Sequence, residues 1–171
     1  MEEILIQKTC IYKSKIDTSI IDEVTPGLSD ARLYNEQTWK CNSNTTLSRY
    51  GNILYERKDL QKIKTALVQQ VEMFFLQNTL NDKPFMITES WVNVMGPNGY
   101  QEFHNHEGIF GSGVLYLSSN NSDIEFCVFP QGYRKSISPK KGDVIIFDAK
   151  TYHRVLHSDK ERMSLAFNFR I

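Results

Sequence analysis

From position 60 onward the apolar residues Leu60, Ile63, Leu67, Val71, Phe74 and Phe75 recur three or four apart. That spacing predicts an amphipathic helix, opened by Asp59 as its N-cap and ending near Asn78. Its other face, Gln61, Lys62, Lys64, Gln69, Gln70 and Glu72, is an ordinary solvated surface, so the helix reads as a brace. Beyond Pro84 the period drops to two. Strands are expected over 85–95, through Gln101-Glu102-Phe103-His104-Asn105-His106, and over 112–117, 124–129, 142–147, 152–156 and 162–171, separated by Asn, Ser, Gly and Pro. Before the helix the pattern is weaker: a short strand within 4–16, a helical turn capped by Asp17 through Ile20 and Ile21, and a turn at Thr25-Pro26-Gly27. Residues 29–55 show no winning period and read as loops with short edge strands that could act as a lid, while the 130–138 segment reads as a loop bordering a cavity, with Tyr133 and Arg134 available to a substrate. Many short strands with turn signals imply a mainly β fold, a sandwich or barrel with helices on one side.

The last strand refines this picture. Met163, Leu165, Phe167 and Phe169 make one apolar face, and Arg162, Ser164, Ala166 and Asn168 make the other. If the sheet curls, the second face lines a polar cavity and the first packs beneath the helix. A hairpin turning between Ser158 and Asp159 would pair 153 with 164 and 155 with 162, bringing His153, Arg162 and Ser164 to one side, unless a bulge shifts the register. A buried guanidinium needs a partner. It is either a carboxylate ligand gripped by Arg162 with help from Ser164, or an acid of the chain such as Glu161 or Asp148.

Length and charge narrow the class. The 171 residues suit a single domain, divided into a strand, loops and brace helix over 1–83 and a β core over 84–171. Twenty basic and twenty acidic residues cancel, which disfavours a nucleic-acid partner. Apolar runs fall well short of the roughly 20 residues of a membrane span, and Glu2 and Glu3 stand where a signal peptide wants cations. A cytoplasmic protein with no membrane partner is the expectation. Cys10, Cys41 and Cys127 match neither a disulfide framework nor a zinc ribbon.

Two of the four histidines, His104 and His106, are two residues apart on an extended segment, where side chains share a face and two imidazoles can chelate one metal ion. The alternative is a polar edge strand. Imidazole suits Fe, Zn, Cu or Ni, so the ligand type does not choose the metal.

Taken together, the H-x-H before Gly113-Val114-Leu115-Tyr116-Leu117, then Pro139-Lys140-Lys141-Gly142-Asp143-Val144-Ile145-Ile146-Phe147, His153, and Arg162-Met163-Ser164-Leu165-Ala166-Phe167-Asn168 resembles the Fe(II)/2-oxoglutarate-dependent oxygenases, in particular a small branch of bacteria and their phages. The resemblance runs from Trp91 to the end. It implies a double-stranded β-helix of jelly-roll or cupin-like form, braced by the one long helix, with Fe(II), 2-oxoglutarate and O2 as cofactors. It implies His104 and His153 as metal ligands, Arg162 and Ser164 on the far carboxylate of 2-oxoglutarate, and Tyr116 and Asn93 as secondary contacts. The implied reaction hydroxylates an unidentified primary substrate with release of succinate and CO2, in the cytoplasm, or the host cytoplasm if the chain is phage-encoded.

One position departs from the family. A carboxylate usually stands two residues after the first histidine, and here His106 does. Either His106 completes an all-histidine site, or Glu107 or Glu102 reaches the metal, or the metal is held weakly and activity is impaired. A cupin-type three-histidine dioxygenase working without 2-oxoglutarate, and a non-catalytic jelly-roll binding module, are the competing readings. His157 is expected on the surface, Trp39 and Trp91 as core anchors, and Lys140-Lys141 as a solvated turn.

Overall fold

The computed structural model describes residues 9–28, 33–37, 40–47, 49–78, 80, 83–118, 122–128, 132–157 and 159–171. Among the described residues eleven strands form one antiparallel sheet: β1 Ile11–Lys15, β2 Tyr34–Gln37, β3 Cys41–Thr45, β4 Met86–Met95, β5 Tyr100–His104, β6 Gly111–Tyr116, β7 Ile124–Val128, β8 Tyr133–Ile137, β9 Asp143–Asp148, β10 Tyr152–Val155 and β11 Arg162–Arg170. Among the described residues three α-helices join them: α1 Thr18–Leu28, α2 Ile53–Glu56 and α3 Gln61–Gln77. The strand order is β1-β9-β6-β11-β4-β3-β5-β10-β7-β8, with β2 added on β3. The sheet curls until inner residues of β6, β9 and β11 (Val114, Tyr116, Ile145, Phe147, Ala166) meet Ile124 and Phe126 of β7. The chain folds as a double-stranded β-helix of jelly-roll form, with helices on one outer face.

That outer face holds the main core. Leu165, Phe167 and Phe169 of β11 pack with Leu115, Val144 and Ile146 against Ile63, Leu67, Val71, Phe74 and Phe75 of α3 and Ile21, Val24 and Leu28 of α1. All three layers come from the alternation of one face per element. Burying each such side chain contributes about 1.5–3 kcal/mol, and the brace is therefore a principal source of stability. Phe75 stacks on Phe85 with centroids 5.1 Å apart, continuing the apolar seam along the helix. Gly111 and Gly113 of β6 make room for it: a Cβ on Gly113 would stand 2.2 Å from the Phe167 ring, and one on Gly111 2.1 Å from that of Phe169.

Several expectations change. Residues 152–156 and 162–171 do not form a hairpin. β10 pairs with β5 and β7, and β11 with β4 and β6, because a jelly roll sends consecutive strands to opposite walls of the barrel. Asp59 lies in a 3-10 turn, Lys58–Leu60, where its carboxylate binds Arg57 at 2.6 Å, and α3 begins after Leu60 without a side-chain cap. Asp17 does cap α1, accepting from the Ser19 N–H at 2.9 Å, but the helix continues through Pro26 and Gly27, since Ile21, Val24 and Leu28 gain burial on the helical spacing. The 29–55 stretch supplies β2, a short strand on the edge as expected, and also β3, an interior strand seated between β4 and β5, while β1 lies on β9, so segments before residue 84 enter the same sheet. The 133–137 part of the expected loop is β8. The 4–8 part of the first strand and Trp39 lie outside the described residues.

Among the described residues no helix is long and apolar enough to cross a membrane. Cys41 and Cys127 are buried and Cys10 is half-buried. Lys141 is paired with Asp22 of α1, so the Lys140-Lys141 turn is tied down on one side.

The packing of β6 under β11 gives a direct test. Gly113→Ala places a methyl inside the Phe167 ring, and overpacking of this kind costs about 1–3 kcal/mol. Urea unfolding should show that loss for Gly113→Ala and almost none for Gly96→Ala, where the added carbon meets nothing within 4 Å.

Candidate metal centre and anion pocket

A cavity of about 200 Å³ lies between the two walls of the barrel. One wall contributes Asn93, Ser112, Arg162, Ser164, Ala166 and Asn168, and the other Gln101, His104, His153 and Val155. The inner face of β11 is thus the polar lining that its alternation implied, and His153 shares the cavity with Arg162 and Ser164 from across the barrel, not from a neighbouring strand.

His104, His106 and His153 each offer a ring nitrogen within 4.8 Å of the others. Two of them come from paired positions, since His104 of β5 is the register partner of His153 of β10. The Nδ1–H of His104 donates to the Glu102 carbonyl at 2.9 Å, and that of His153 to the Thr151 carbonyl at 3.0 Å. Each ring therefore keeps its Nε2 lone pair free, the tautomer a metal requires. His106 lies beyond the end of β5. Its backbone N–H donates to the Ala149 carbonyl at 2.8 Å, which pins this loop to the start of the β9–β10 connection and turns the third imidazole inward.

β5 carries a bulge opposite β10: His153 pairs with His104, yet Val155 pairs with Gln101. The extra residue breaks strict alternation, so Gln101 and His104 both face the cavity and Glu102 does not line it. Glu107 is exposed. Neither acid joins the three imidazoles, and among the described residues the cluster contains no carboxylate.

Burial lowers the proton affinity of all three rings. It is the largest cause for His104, and for His153 it acts together with repulsion from His104 to hold the ring well below 6.5. Burial and then His104 bring His106 to about 4, against the opposing charge of Glu89. At neutral pH the cluster is three neutral ligands.

Farther along the same lining, Arg162 is only 3% exposed. Its Nη2 reaches the Ser164 hydroxyl at 3.5 Å, while Nε and Nη1 have no partner. Neither Glu161 nor Asp148 pairs with it, and no described acid does. Its guanidinium lies over the Tyr116 ring at 5.2 Å, and the Tyr116 hydroxyl is also buried without a partner. Burial lowers the Arg162 pKa and raises that of Tyr116 to about 12, so tyrosine stays a neutral donor. An unpaired buried cation costs several kcal/mol. Two guanidinium nitrogens and a phenol without partners make a cradle for an anion. In sheet register Tyr116, Ser164, Asn93 and Thr45 form one row across β6, β11, β4 and β3.

Other residues fall elsewhere. Trp91 lines the cavity 6.2 Å from the His106 ring while packing on the inner core. His157 is exposed and stacks on Tyr100. Tyr133 and Arg134 sit on β8 away from the cavity, with Arg134 tied to Glu125 at 3.5 Å. Unforeseen was a row on the barrel's inner side: Asn168 accepts from Ser112 at 2.8 Å, donates to Glu89 at 2.7 Å and reaches His106 Nδ1 at 3.5 Å. Only the pairing of β4, β6 and β11 brings Ser112 and Glu89 beside Asn168.

The depressed histidines imply a pH dependence whose sign is fixed. In the unfolded chain these rings take up protons near 6.5, while the folded protein resists doing so, so stability rises with pH across that window. Metal-free protein should lose stability as the pH falls from about 6.5 toward 4. Urea midpoints that stay level over this range would show that the rings titrate normally.

No family model matches the sequence, and no curated protein does. Solved structures do match in shape. A prolyl-4-hydroxylase from Pseudomonas putida superposes with a TM-score of 0.72 at 15% identity, covering 94% of this chain and 91% of that one. A 2OG-Fe(II) oxygenase family oxidoreductase from Burkholderia pseudomallei gives 0.73 at 14% identity, covering 95% and 85%. A viral collagen prolyl hydroxylase from Paramecium Bursaria Chlorella virus-1, solved with 2OG, gives 0.66 at 16% identity, covering 94% and 96%. Across nearly its whole length, this chain shares the fold of the 2OG-Fe(II) oxygenases.

Proposed function

We propose that this protein is an Fe(II)- and 2-oxoglutarate-dependent dioxygenase that hydroxylates its substrate with release of succinate and CO2. The observation that carries the reading is the pairing, in one cavity, of three convergent neutral imidazoles with a buried arginine whose Nε and Nη1 have no partner. A keto acid with a carboxylate at each end is the ligand both features call for. His104, His106 and His153 would hold the iron. Arg162 with Ser164 would grip the distal carboxylate, the Tyr116 hydroxyl would donate to it, and Asn93 would border the bound acid. Iron held there supplies the activation of O2 that couples decarboxylation of the keto acid to C–H hydroxylation.

The chain's own residues do the rest. Backbone carbonyls of Glu102 and Thr151 fix the tautomers of His104 and His153. Trp91, Val114, Ile124, Phe147 and Val155 give the cavity apolar walls, which limit water and strengthen the charge-assisted contacts at Arg162. Three neutral ligands leave the metal one positive charge above the two-histidine, one-carboxylate arrangement. The all-imidazole shell also favours a second reading, a cupin-type dioxygenase in which the substrate itself chelates the iron; that reading leaves Arg162 without a role.

Aerobic protein supplied with Fe(II), ascorbate and 2-oxoglutarate should form succinate, slowly even without primary substrate. Absence of succinate across a broad substrate screen would sink the proposal, and bound iron with no thermal shift on adding 2-oxoglutarate would favour the cupin-type reading. Arg162→Ala should weaken 2-oxoglutarate binding by roughly 10- to 100-fold, the worth of charge-assisted hydrogen bonds. Co(II) affinity of the same variant should stay within a factor of about two, which titration calorimetry would measure.

A further inference from the structure

We infer that Glu89, acting through Asn168 on His106, is the positioning carboxylate of the metal centre and supplies from behind the ligands the negative charge that the three imidazoles lack. The inference rests on the proposed metal site and concerns residues to which that proposal gives no part. Glu89 of β4, Asn168 of β11 and Ser112 of β6 occupy one row across three strands, and Asn168 and Ser112 line the cavity. Asn168 is buried and its amide is committed at both ends: Oδ1 accepts from the Ser112 hydroxyl at 2.8 Å, and Nδ2 donates to Glu89 Oε2 at 2.7 Å. The same Nδ2 lies 3.5 Å from His106 Nδ1. Through this amide a carboxylate is coupled to one member of the triad, and Glu89 is the acid whose charge acts on the His106 ring.

The arrangement has a chemical use. A histidine that binds metal through one nitrogen holds its other N–H against a polar partner, and such partners orient the ring and tune the site. The Asn168 nitrogen that donates to Glu89 is the one that faces His106, so the amide fixes the Glu89 carboxylate close behind the ring, and the carboxylate acts there through its charge. A doubly charged ion bound by neutral ligands feels that charge strongly in a cavity walled by apolar side chains, where screening is weak. Glu102 and Glu107 lie closer in sequence to the histidines, but neither is among the charges that act on the His106 ring. The charge that the His106 position omits is thereby restored one residue farther out.

The test uses Co(II) as the probe, with affinity measured by calorimetry and the ligand field by visible absorption, alongside the melting temperature of the metal-free protein. Glu89→Gln keeps the side chain's shape and removes its charge. It should weaken Co(II) binding about ten-fold or more, in the 10- to 100-fold range seen when partners behind metal ligands are lost, and shift the Co(II) bands, while Glu107→Gln leaves both unchanged. Glu89→Asp, which keeps the charge but shortens the reach to Asn168, should recover most of the affinity. A Glu89→Gln protein that melts like wild type and binds Co(II) equally tightly with unaltered bands would overturn the inference and leave the proposed metal site standing. The inference also falls if Glu107→Gln weakens binding as much as Glu89→Gln does. Wild-type protein that binds no Co(II) would remove the metal site itself, and this inference with it.

Discussion

A guanidinium enclosed in protein, with no acid among the described residues to pair it, is the constraint on which the cavity depends. The cost of burying Arg162 is offset by the packing around it: the strand that carries it buries Leu165, Phe167 and Phe169 beneath α3 and α1 on the opposite face. One face of β11 stabilises the fold and the other presents the charge. The strand cannot slip by one residue without exchanging the two, which would expose three large apolar side chains and drive Arg162 into the helix layer.

The same division orders the rest of the site. β11 carries Arg162, Ser164 and Asn168 on one wall, and β10, held between β5 and β7, carries His153 on the other. The imidazole end is fixed by backbone hydrogen bonds at Glu102, Thr151 and Ala149, so its geometry depends on main chain more than on neighbouring side chains. The anion end is left with donors unsatisfied. A site with rigid imidazoles at one end and unpaired donors at the other is suited to a ligand that spans them.

Much of this was legible in the sequence, for identifiable reasons. The helix at 61–77, the strands after 84 and the two faces of the last strand follow from periodicity, because each element buries one face only. Strand adjacency was not legible. Nothing local in residues 152–170 says that consecutive strands go to opposite walls, so the expected hairpin was wrong even though the faces were read correctly. The bulge in β5 and the row of Ser112, Asn168 and Glu89 were hidden for the same reason, since both exist only in the register between strands distant in the chain. Polar spacing also misled at Asp59, where a good capping residue is occupied by Arg57.

The interleaving of strands has a kinetic side. His104 meets its register partner His153 across about fifty residues of chain, and Glu89 meets Asn168 across still more. Pairings this remote in sequence require large loops to close before their contacts can offset the entropy of closure, which places such topologies among slower, millisecond-to-second folders. The three imidazoles therefore converge only after β10 has docked on β5, and a nascent chain that has made α3 but not β10 holds His104 and His106 without the ring that closes the cluster.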